Sequence, residues 1–356
     1  MSGAAPGNVQ ADPTKHLRLL LGATIVSAGG RDLTGRDLVT AGALSGRWRR
    51  LEADLVDGLA GLQDWTPARD EVKAALREFR YGRRLISADE FTDWLRQRGL
   101  VLRELTEAIR RGLARERDDL TGSRDQAGQR QRALAALPAE AIYTGTLLDC
   151  AEWLADRVLC LADGSVPGVE PAELELLLGR ERELMAAKVI AEADADRRAR
   201  AGFVLAASAA YDARVAAMCS PQAIAKMLRR HALDWLHFQL ISFTCATAGA
   251  AAEIAALLRE GTPAETITEV SGVPGEQMRL YLEEAPAATQ GWLGGALPGA
   301  VIGPLAEQGT YRTWLVRARR SPDPGDPAMA DRARERIVGE YMRKRRAGRV
   351  KWHERH

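Results

Sequence analysis

The cysteines and histidines have the widest chemical range of the residue types in this chain, and their spacing supports little of that chemistry. The four cysteines form no Cys-x-x-Cys pair and have no metal-ligand spacing with a histidine; they are Cys150, Cys160, Cys219 and Cys245. This pattern predicts buried free thiols and favours neither a zinc site nor a disulfide framework. The sequence also lacks the Gly-x-Ser-x-Gly and His-Glu-x-x-His motifs, a phosphate loop and a dinucleotide fingerprint. We therefore expect no cofactor, no metal and no catalytic residue of those classes.

Six residues of the carboxyl-terminal third are the candidates for a binding site. They are His237, Phe243, Trp292, Tyr311, Arg312 and Trp314. His237 is either a site residue or a hydrogen-bonded structural histidine on a strand. Arg312 suits bidentate contact with a carboxylate, and the alternative is an arginine on a solvated strand face. The aromatic residues Phe243, Trp292 and Trp314 line a cleft or fill a core, and only their burial separates these alternatives.

The segments that carry these candidates alternate between strand and helix patterns. Alternating apolar and polar residues with β-branched and aromatic side chains predict strands, whereas Ala/Leu-rich stretches with a cap and a first-turn proline predict helices. One Gly-containing turn, Pro298-Gly299, precedes the last two strands, and a second, Gln308-Gly309, separates them. The predicted order is a strand over Trp235 to Phe243, a helix over Ala248 to Leu258, a short helix from Thr262, and two strands that include Val301-Ile302 and Tyr311 to Ala318.

The preceding part of the chain has the pattern of successive amphipathic helices. Ser87-Ala-Asp-Glu90 is a capping-box sequence, and apolar residues follow it at helical spacing. A second apolar stripe from Leu102 to Leu113 predicts a helical hairpin with the first. Leu120 to Arg132 contains almost no apolar side chain after its first residue, so we expect a linker there. Asp326-Pro327 is a cap and first-turn proline, which predicts a last helix.

Composition agrees with a mainly helical chain that has more than one part. The 356 residues are 46% hydrophobic, 28% charged and only 5% aromatic. We expect an α+β fold, mainly α, because strand patterns are confined to one segment. The predicted domains are a helical domain over residues 1–232, completed by a carboxyl-terminal helix within 323–356 that packs back on it, and an inserted small α+β domain over residues 233–322.

The charge balance bears on the partners that this chain can have. Fifty basic and forty-eight acidic residues give a net charge of +2, which is too small to attract nucleic acid to the whole surface. The basic tail from Arg343 to Arg355 either contacts phosphates or is a solvated helix end that the helix macrodipole favours. We expect no nucleic-acid partner, because the net charge is small. We expect no membrane partner, because no apolar run approaches the ~18 residues of a membrane span.

The amino-terminal segment allows two localisations. Lys15 and Arg18 precede a short apolar run that ends in small residues near Ala28, so residues 1–28 have some features of a signal peptide. The apolar run is about eight residues long, at the lower limit for such a peptide, and Arg18 lies within a helical stripe of leucines. We therefore expect a cytoplasmic protein, with export as the alternative.

The order of the elements after Asp234 resembles the parvulin-type peptidyl-prolyl isomerase domain. Gly299 to Leu305 and Gly309 to Arg317 are similar to the parvulin ending, in which a Gly-x-Val-x-x-Pro strand precedes a Gly-Tyr-His-x-x-x-Val strand. Leu236 to Leu240 stands where parvulins carry a histidine in their first strand. The helices before and after this segment are similar to those of SurA-type chaperones, whose last helix folds back onto the amino-terminal helices.

The departures from the parvulin pattern concern catalysis. Active parvulins place two histidines and a Cys or Asp around the proline, where they assist rotation about the prolyl amide bond. Here His237 is at one of those positions, and Arg312 stands directly after Tyr311 where the second histidine is expected. The resemblance therefore implies a degenerate domain that is not an enzyme; if it is one, it is a peptidyl-prolyl cis/trans isomerase.

The functional hypothesis from the sequence is peptide binding. A degenerate parvulin domain keeps an apolar cleft and sheet edges that can hold an extended peptide by strand addition. We expect a precursor peptide to be held for modification by partner enzymes in a bacterial peptide natural-product pathway. In this hypothesis the edge over Tyr311 to Val316 pairs with the peptide backbone, aromatic residues form pockets, and Arg312 contacts acidic groups. An active isomerase and a general holdase chaperone are the alternatives.

Overall fold

The computed structural model describes residues 21–117, 126–162, 164, 168–186, 196–307 and 309–353. This part of the chain is mainly helical and contains two small antiparallel sheets, so the predicted α+β class is confirmed. None of the helices in the described ranges combines the length and the hydropathy that crossing a membrane requires. The contacts divide the chain into unit 1, residues 1–215 with 342–356, and unit 2, residues 216–341.

Unit 1 is built from helices around a short sheet. Its helices are α1 (Gly35–Leu44), α2 (Arg47–Asp64), α3 (Arg69–Gly82), α4 (Ala88–Gln97), α5 (Leu102–Arg115), α6 (Gln126–Tyr143), α7 (Thr146–Leu161), α8 (Pro171–Ala186) and most of α9 (Arg197–Met218). Its sheet has the order β2-β1-β7, with β1 (Thr24–Ala28), β2 (Arg31–Thr34) and β7 (Val350–Trp352). Both neighbours of β1 are antiparallel to it.

Strand β1 lies within residues 1–28, the segment that has some features of a signal peptide. Ile25, Val26 and Ala28 are buried in the unit 1 core, which explains the apolar character of this stretch. Residues 1–20, including Lys15 and Arg18, lie outside the described residues.

The predicted helical hairpin of unit 1 is confirmed. Ser87 accepts a hydrogen bond from the Glu90 backbone N–H at 3.1 Å, and the Glu90 carboxylate accepts one from the Ser87 N–H at 2.9 Å. This reciprocal capping begins α4. Phe91, Trp94 and Leu95 are then buried against residues of α5 in one cluster. The hairpin therefore follows from the cap and the apolar stripe.

The predicted linker over Leu120 to Arg132 is wrong where the structure describes it. Residues 126–132 belong to α6, and the earlier part of the predicted linker lies outside the described residues. The helix is held by tertiary burial: Gln129 is 1% exposed although its side chain is polar, and Ala133 is fully buried. Burial of an amide is not visible in a hydropathy pattern, so the segment looked like a loop.

Unit 2 is built around a four-stranded antiparallel sheet with the order β4-β3-β6-β5. Its strands are β3 (His237–Cys245), β4 (Gly275–Tyr281), β5 (Val301–Glu307) and β6 (Thr310–Arg320), and its helices are α10 (Pro221–Arg230), α11 (Ala248–Arg259), α12 (Ala264–Ser271), α13 (Ala287–Gly295) and most of α14 (Pro327–Arg346), with a 3-10 turn over Leu282–Glu284. The predicted strands β3, β5 and β6 are confirmed, and β4 was not predicted.

The two faces of this sheet have separate cores. On one face, Ile241, Phe243 and Cys245 pack with residues of α11 and α12. On the other face, Phe238 and Leu240 pack with Trp314 and with residues of the 3-10 turn and α13. Because successive strand residues point to opposite faces, β3 supplies apolar side chains to both cores.

The observed boundaries of the units differ from the predicted ones. The prediction ends the first domain at residue 232 and assigns the helix after 323 to it, whereas unit 2 contains residues 216–341. The physical reason is a small core in unit 2, where Met227 of α10 and Met329 and Ala333 of α14 pack around Trp235. Helix α14 thus begins in unit 2, and its basic end belongs to unit 1, where Arg346 binds Asp156 at 2.6 and 2.7 Å.

Replacement of Gly303 by alanine is expected to destabilise unit 2. Gly303 has φ +128°, and a Cβ atom there would lie 2.8 Å from the Arg312 carbonyl oxygen and 3.1 Å from Thr313 Cα. We expect Gly303→Ala to cost at least about 1–3 kcal/mol, measured by hydrogen exchange of β5 and β6 peptides. Gly291→Ala in α13, where a Cβ meets no atom within 4 Å, is the control and is expected to be neutral or stabilising. Equal protection in the two variants would contradict this explanation.

Candidate functional site

His237 lies at the start of the central strand β3, between two other strands. Its register partners are Tyr281 on β4 and Arg320 on β6, and the His237 and Tyr281 ring centroids are 5.1 Å apart. Partial burial, and then the positive charges of Arg279 and Arg320, lower the pKa of His237 below its usual value. The imidazole is therefore expected to be neutral at pH 7, with cationic neighbours.

Arg312 and Tyr311 lie at the opposite end of the same sheet. Arg312 pairs in register with Thr244, seven residues along β3 from His237. At about 3.3 Å per residue, this is a separation of roughly 23 Å along the sheet. Arg312 is also engaged, because its Nη1 atom lies 3.0 Å from Glu307 Oε2. The structure therefore does not bring His237 and Arg312 together.

The three aromatic candidates do not form one cleft. Phe243 is fully buried and Trp314 is 2% exposed, and they lie in the cores on opposite faces of the sheet. For these two, the core alternative holds. Trp292 is 62% exposed on α13, although its neighbour Leu293 is fully buried. Trp292 alone among the three remains accessible to a ligand.

The predicted docking edge over Tyr311 to Val316 is wrong. These residues belong to β6, which pairs with β3 on one side and with β5 on the other. Both sides of the strand are therefore occupied. The sequence predicts strands at β5 and β6, but a local pattern does not show which of them lies inside the sheet. Strand β6 is interior because β3, which is distant in sequence, pairs with it.

The outer edge of β4 is open in the described part of the chain. The β4 strand pairs with β3 on one side, and no described strand pairs with its other side. The Leu282 N–H donates to the Leu236 carbonyl at 3.0 Å. In an antiparallel pair, the N–H groups of successive residues point alternately toward and away from the partner strand, so this bond fixes which β4 residues face outward. The backbone groups of Gln277 and Arg279 consequently face away from β3.

Two side chains close the ends of this open edge. The Gly275 N–H donates to Thr268 Oγ1 at 3.2 Å, and the Tyr281 N–H donates to Glu284 Oε2 at 3.2 Å. Both of these donors also face outward. The edge that remains is short, and it is centred on Gln277 and Arg279.

The other edge strand, β5, is less suited to pairing. Pro304 has no backbone N–H, and the register between β5 and β6 shifts between Ile302 and Leu305. The Gly303 carbonyl already accepts a hydrogen bond from Arg259 Nη2 at 3.0 Å. Of the two edges of this sheet, the edge of β4 is the one that offers regular, unpaired backbone groups.

A cluster of charged and aromatic residues supports the end of β4 and was missed in the sequence. The Arg332 guanidinium lies 4.1 Å from the Tyr281 ring centroid, and it forms ion pairs with Glu283 and, at 3.0 Å, with Glu284. The His231 ring stacks on Trp235 with centroids 4.9 Å apart. These residues come from separate segments, so no local pattern joins them.

Comparison with known proteins adds no assignment to this geometry. No protein-family model matches the sequence, and no curated protein matches it.

The described residues also include cysteines and other side chains of the types that bind metals. No group of three or more His, Cys, Asp or Glu side chains in the described ranges is arranged to hold a metal. Cys150, Cys160 and Cys245 are free and buried, as predicted, whereas Cys219 is half-buried. Burial raises the pKa of Cys150 to about 12, so its thiol is inert at neutral pH.

The two arginines that flank His237 make a testable contribution to its titration. Arg320→Gln removes a positive charge that opposes protonation, so we expect the pKa of His237 to rise. Arg312→Gln, on the same strand but roughly 23 Å away, should leave this pKa unchanged, since charges that far apart are screened. The measurement is an NMR titration of the histidine ring protons. A His237 pKa that does not respond to Arg320→Gln would contradict the assigned electrostatics.

Proposed function

We propose that this chain is a non-catalytic peptide-binding protein and that unit 2 is a degenerate parvulin-like domain. The support is the order of its elements, in which a strand, two helices, a strand, a third helix and a strand pair follow one another. The helices of unit 1 and the returning helix α14 support a similarity to SurA-type chaperones. In this proposal the chain consists of a helical domain, which includes the carboxyl-terminal helix, and an inserted parvulin-like domain.

The open edge of β4 is the observation that carries the proposal. An extended peptide that lies beside β4 becomes a fifth strand, because its backbone can exchange hydrogen bonds with the N–H and C=O groups of Gln277 and Arg279. Each such bond contributes about 0.5–1.5 kcal/mol net. Since ordering the peptide opposes binding, side-chain contacts must add to these bonds.

The side chains of β4 offer different contacts on its two faces. Met278 and Leu280 are half-buried and pack at the border of the core that contains Trp314. Gln277 and Arg279 are exposed on the opposite face. A bound peptide strand would place alternate residues beside these two surfaces, which favours apolar side chains on one face and polar ones on the other.

This mode of binding suits a peptide that awaits modification. A peptide held through its backbone at a sheet edge keeps many of its side chains exposed to a second protein. We therefore propose that the natural ligand is a precursor peptide and that partner enzymes modify it, in a bacterial peptide natural-product pathway. The backbone hydrogen bonds do not depend on the chemistry of the exposed side chains, so the same edge can bind the peptide before and after those side chains are modified.

Proline at position 277 is expected to weaken peptide binding. Gln277→Pro removes an outward N–H and leaves the hydrogen bonds from β4 to β3 intact. We expect at least about a tenfold loss of affinity for a labelled extended peptide of alternating valine and threonine, measured by fluorescence anisotropy, since a backbone hydrogen bond is lost and the ring obstructs the edge. Gln277→Thr keeps the N–H and is the matched control, with unchanged affinity.

The alternatives give different results in this experiment. Equal binding to the wild-type chain and to Gln277→Pro, with the same thermal unfolding curve, would contradict strand addition at β4. Suppression of aggregation for unrelated proteins by both variants would favour a general holdase instead.

No acceleration of prolyl cis/trans exchange is expected. His237 contacts the Tyr281 ring in a tilted arrangement and lies roughly 23 Å along the sheet from the position of Arg312, so the residues that the parvulin resemblance assigns to catalysis are not assembled. We expect the exchange rate of a short Ala-Pro peptide, measured by NMR exchange spectroscopy, to be the same with and without the chain. A faster rate that is lost in His237→Ala would instead establish an isomerase.

A further inference from the structure

We propose that the peptide held at β4 has acidic residues on one face and apolar residues on the other, and that Arg279 is the residue that binds its carboxylates, with Arg320 adding longer-range attraction. This inference rests on the proposed function and names the class of peptide. It replaces the predicted role of Arg312, which is paired with Glu307.

The two arginines share a face of the sheet with His237. Arg279 lies opposite Gln239, and Arg320 lies opposite His237, which is two residues from Gln239 along β3. Residues two apart on a strand, and residues directly opposite on a neighbouring strand, project to the same face. Arg279, Gln239, His237 and Arg320 therefore form one surface at the end of the sheet that Ile241 and the helix-covered core leave free.

The charges on this surface are not neutralised by the protein. Arg279 and Arg320 are exposed, and no ion pair joins either guanidinium to another residue in the described ranges. Two carboxylates act to raise the pKa of His237, and neither forms an ion pair with Arg279 or Arg320. Glu284 binds Arg332, and Asp326 accepts the Ala328 N–H at 3.0 Å.

The distance of each arginine from a bound peptide strand determines how strongly it attracts the peptide's carboxylates. Neighbouring strands are about 4.8 Å apart, so a carboxylate on a peptide strand beside β4 can contact Arg279 directly. Arg320 lies on β6, two strands beyond β4, so it is about 14 Å from a peptide strand on the outer side of β4. Because charge interactions are screened over about 8 Å at physiological ionic strength, Arg320 should contribute less than Arg279.

The opposite face of β4 determines where acidic residues are excluded. Glu276 lies on that face and is exposed, and Met278 and Leu280 follow it at strand spacing. A carboxylate beside Glu276 is repelled, whereas an apolar side chain gains contact with Met278 and Leu280. The geometry therefore favours a peptide in which acidic and apolar residues alternate over a peptide that has its acidic residues in one block.

The test compares labelled peptides of the same length by fluorescence anisotropy with the full chain. The probes are a Glu-Val alternating peptide, a Gln-Val alternating peptide, a Lys-Val alternating peptide and a block peptide with the Glu-Val composition. We expect the Glu-Val peptide to bind about tenfold more tightly than the Gln-Val and block peptides, and the Lys-Val peptide to bind most weakly. The advantage of Glu-Val should fall as salt is raised.

Variants of the two arginines separate their contributions. Arg279→Gln should remove most of the preference for Glu-Val over Gln-Val, and Arg320→Gln should reduce it by less than about twofold. Lys226→Gln removes one exposed cation from α10 in the same unit and is the charge-matched control, with no effect expected. Thermal unfolding of each variant checks that the fold is kept.

The outcomes distinguish this inference from the proposed function. If Gln-Val binds as tightly as Glu-Val and Gln277→Pro weakens both, peptide binding at the edge of β4 is supported and the preference for acidic peptides is overturned. If Gln277→Pro weakens neither, strand addition itself fails. If an oligothymidylate binds more tightly than Glu-Val and Arg279→Gln abolishes it, the surface is a phosphate site and the inference is overturned.

Discussion

Strand β3 pairs along its length with two antiparallel neighbours, β4 and β6, and its side chains enter the cores on both faces of the unit 2 sheet. A strand in this position has no free backbone edge, so its polar groups are satisfied within the sheet. The same pairing brings residues from distant parts of unit 2 next to each other. Tyr281, His237 and Arg320 become one row although they are far apart in sequence.

The central position of β3 and β6 moves the unpaired backbone to the outer strands. Natural sheets protect such edges with proline, irregular register or side-chain contacts. Strand β5 has these devices in Pro304, in the register shift and in the bond from Arg259 to Gly303. Strand β4 has them only at its two ends, where Thr268 and Glu284 accept backbone hydrogen bonds. An edge that is protected at its ends and open in its middle leaves unpaired backbone groups over only a few residues.

Pairing also decides which arginines are available to a ligand. Arg312 and Arg332 lie beside carboxylates of the same unit and are engaged in ion pairs. Arg279 and Arg320 lie where the neighbouring side chains are Gln239, Tyr281 and His237, none of which can neutralise them. A guanidinium that the fold leaves without a carboxylate keeps its charge for a partner, and this difference cannot be deduced from residue type.

The elements whose signals are local follow from neighbouring residues in the sequence. The capping box at Ser87, the alternating pattern of β3, the turn before Val301 and the cap at Asp326 each depend on a few neighbouring residues, and each element lies where the pattern predicts it. Strand β4, the helix over residues 126–132, the interior place of β6 and the separation of His237 from Arg312 were decided only by the tertiary structure. Their physical reason is common: strand order, burial of a polar side chain and ion pairing are contacts between distant segments, and no local pattern of residues specifies which segments meet.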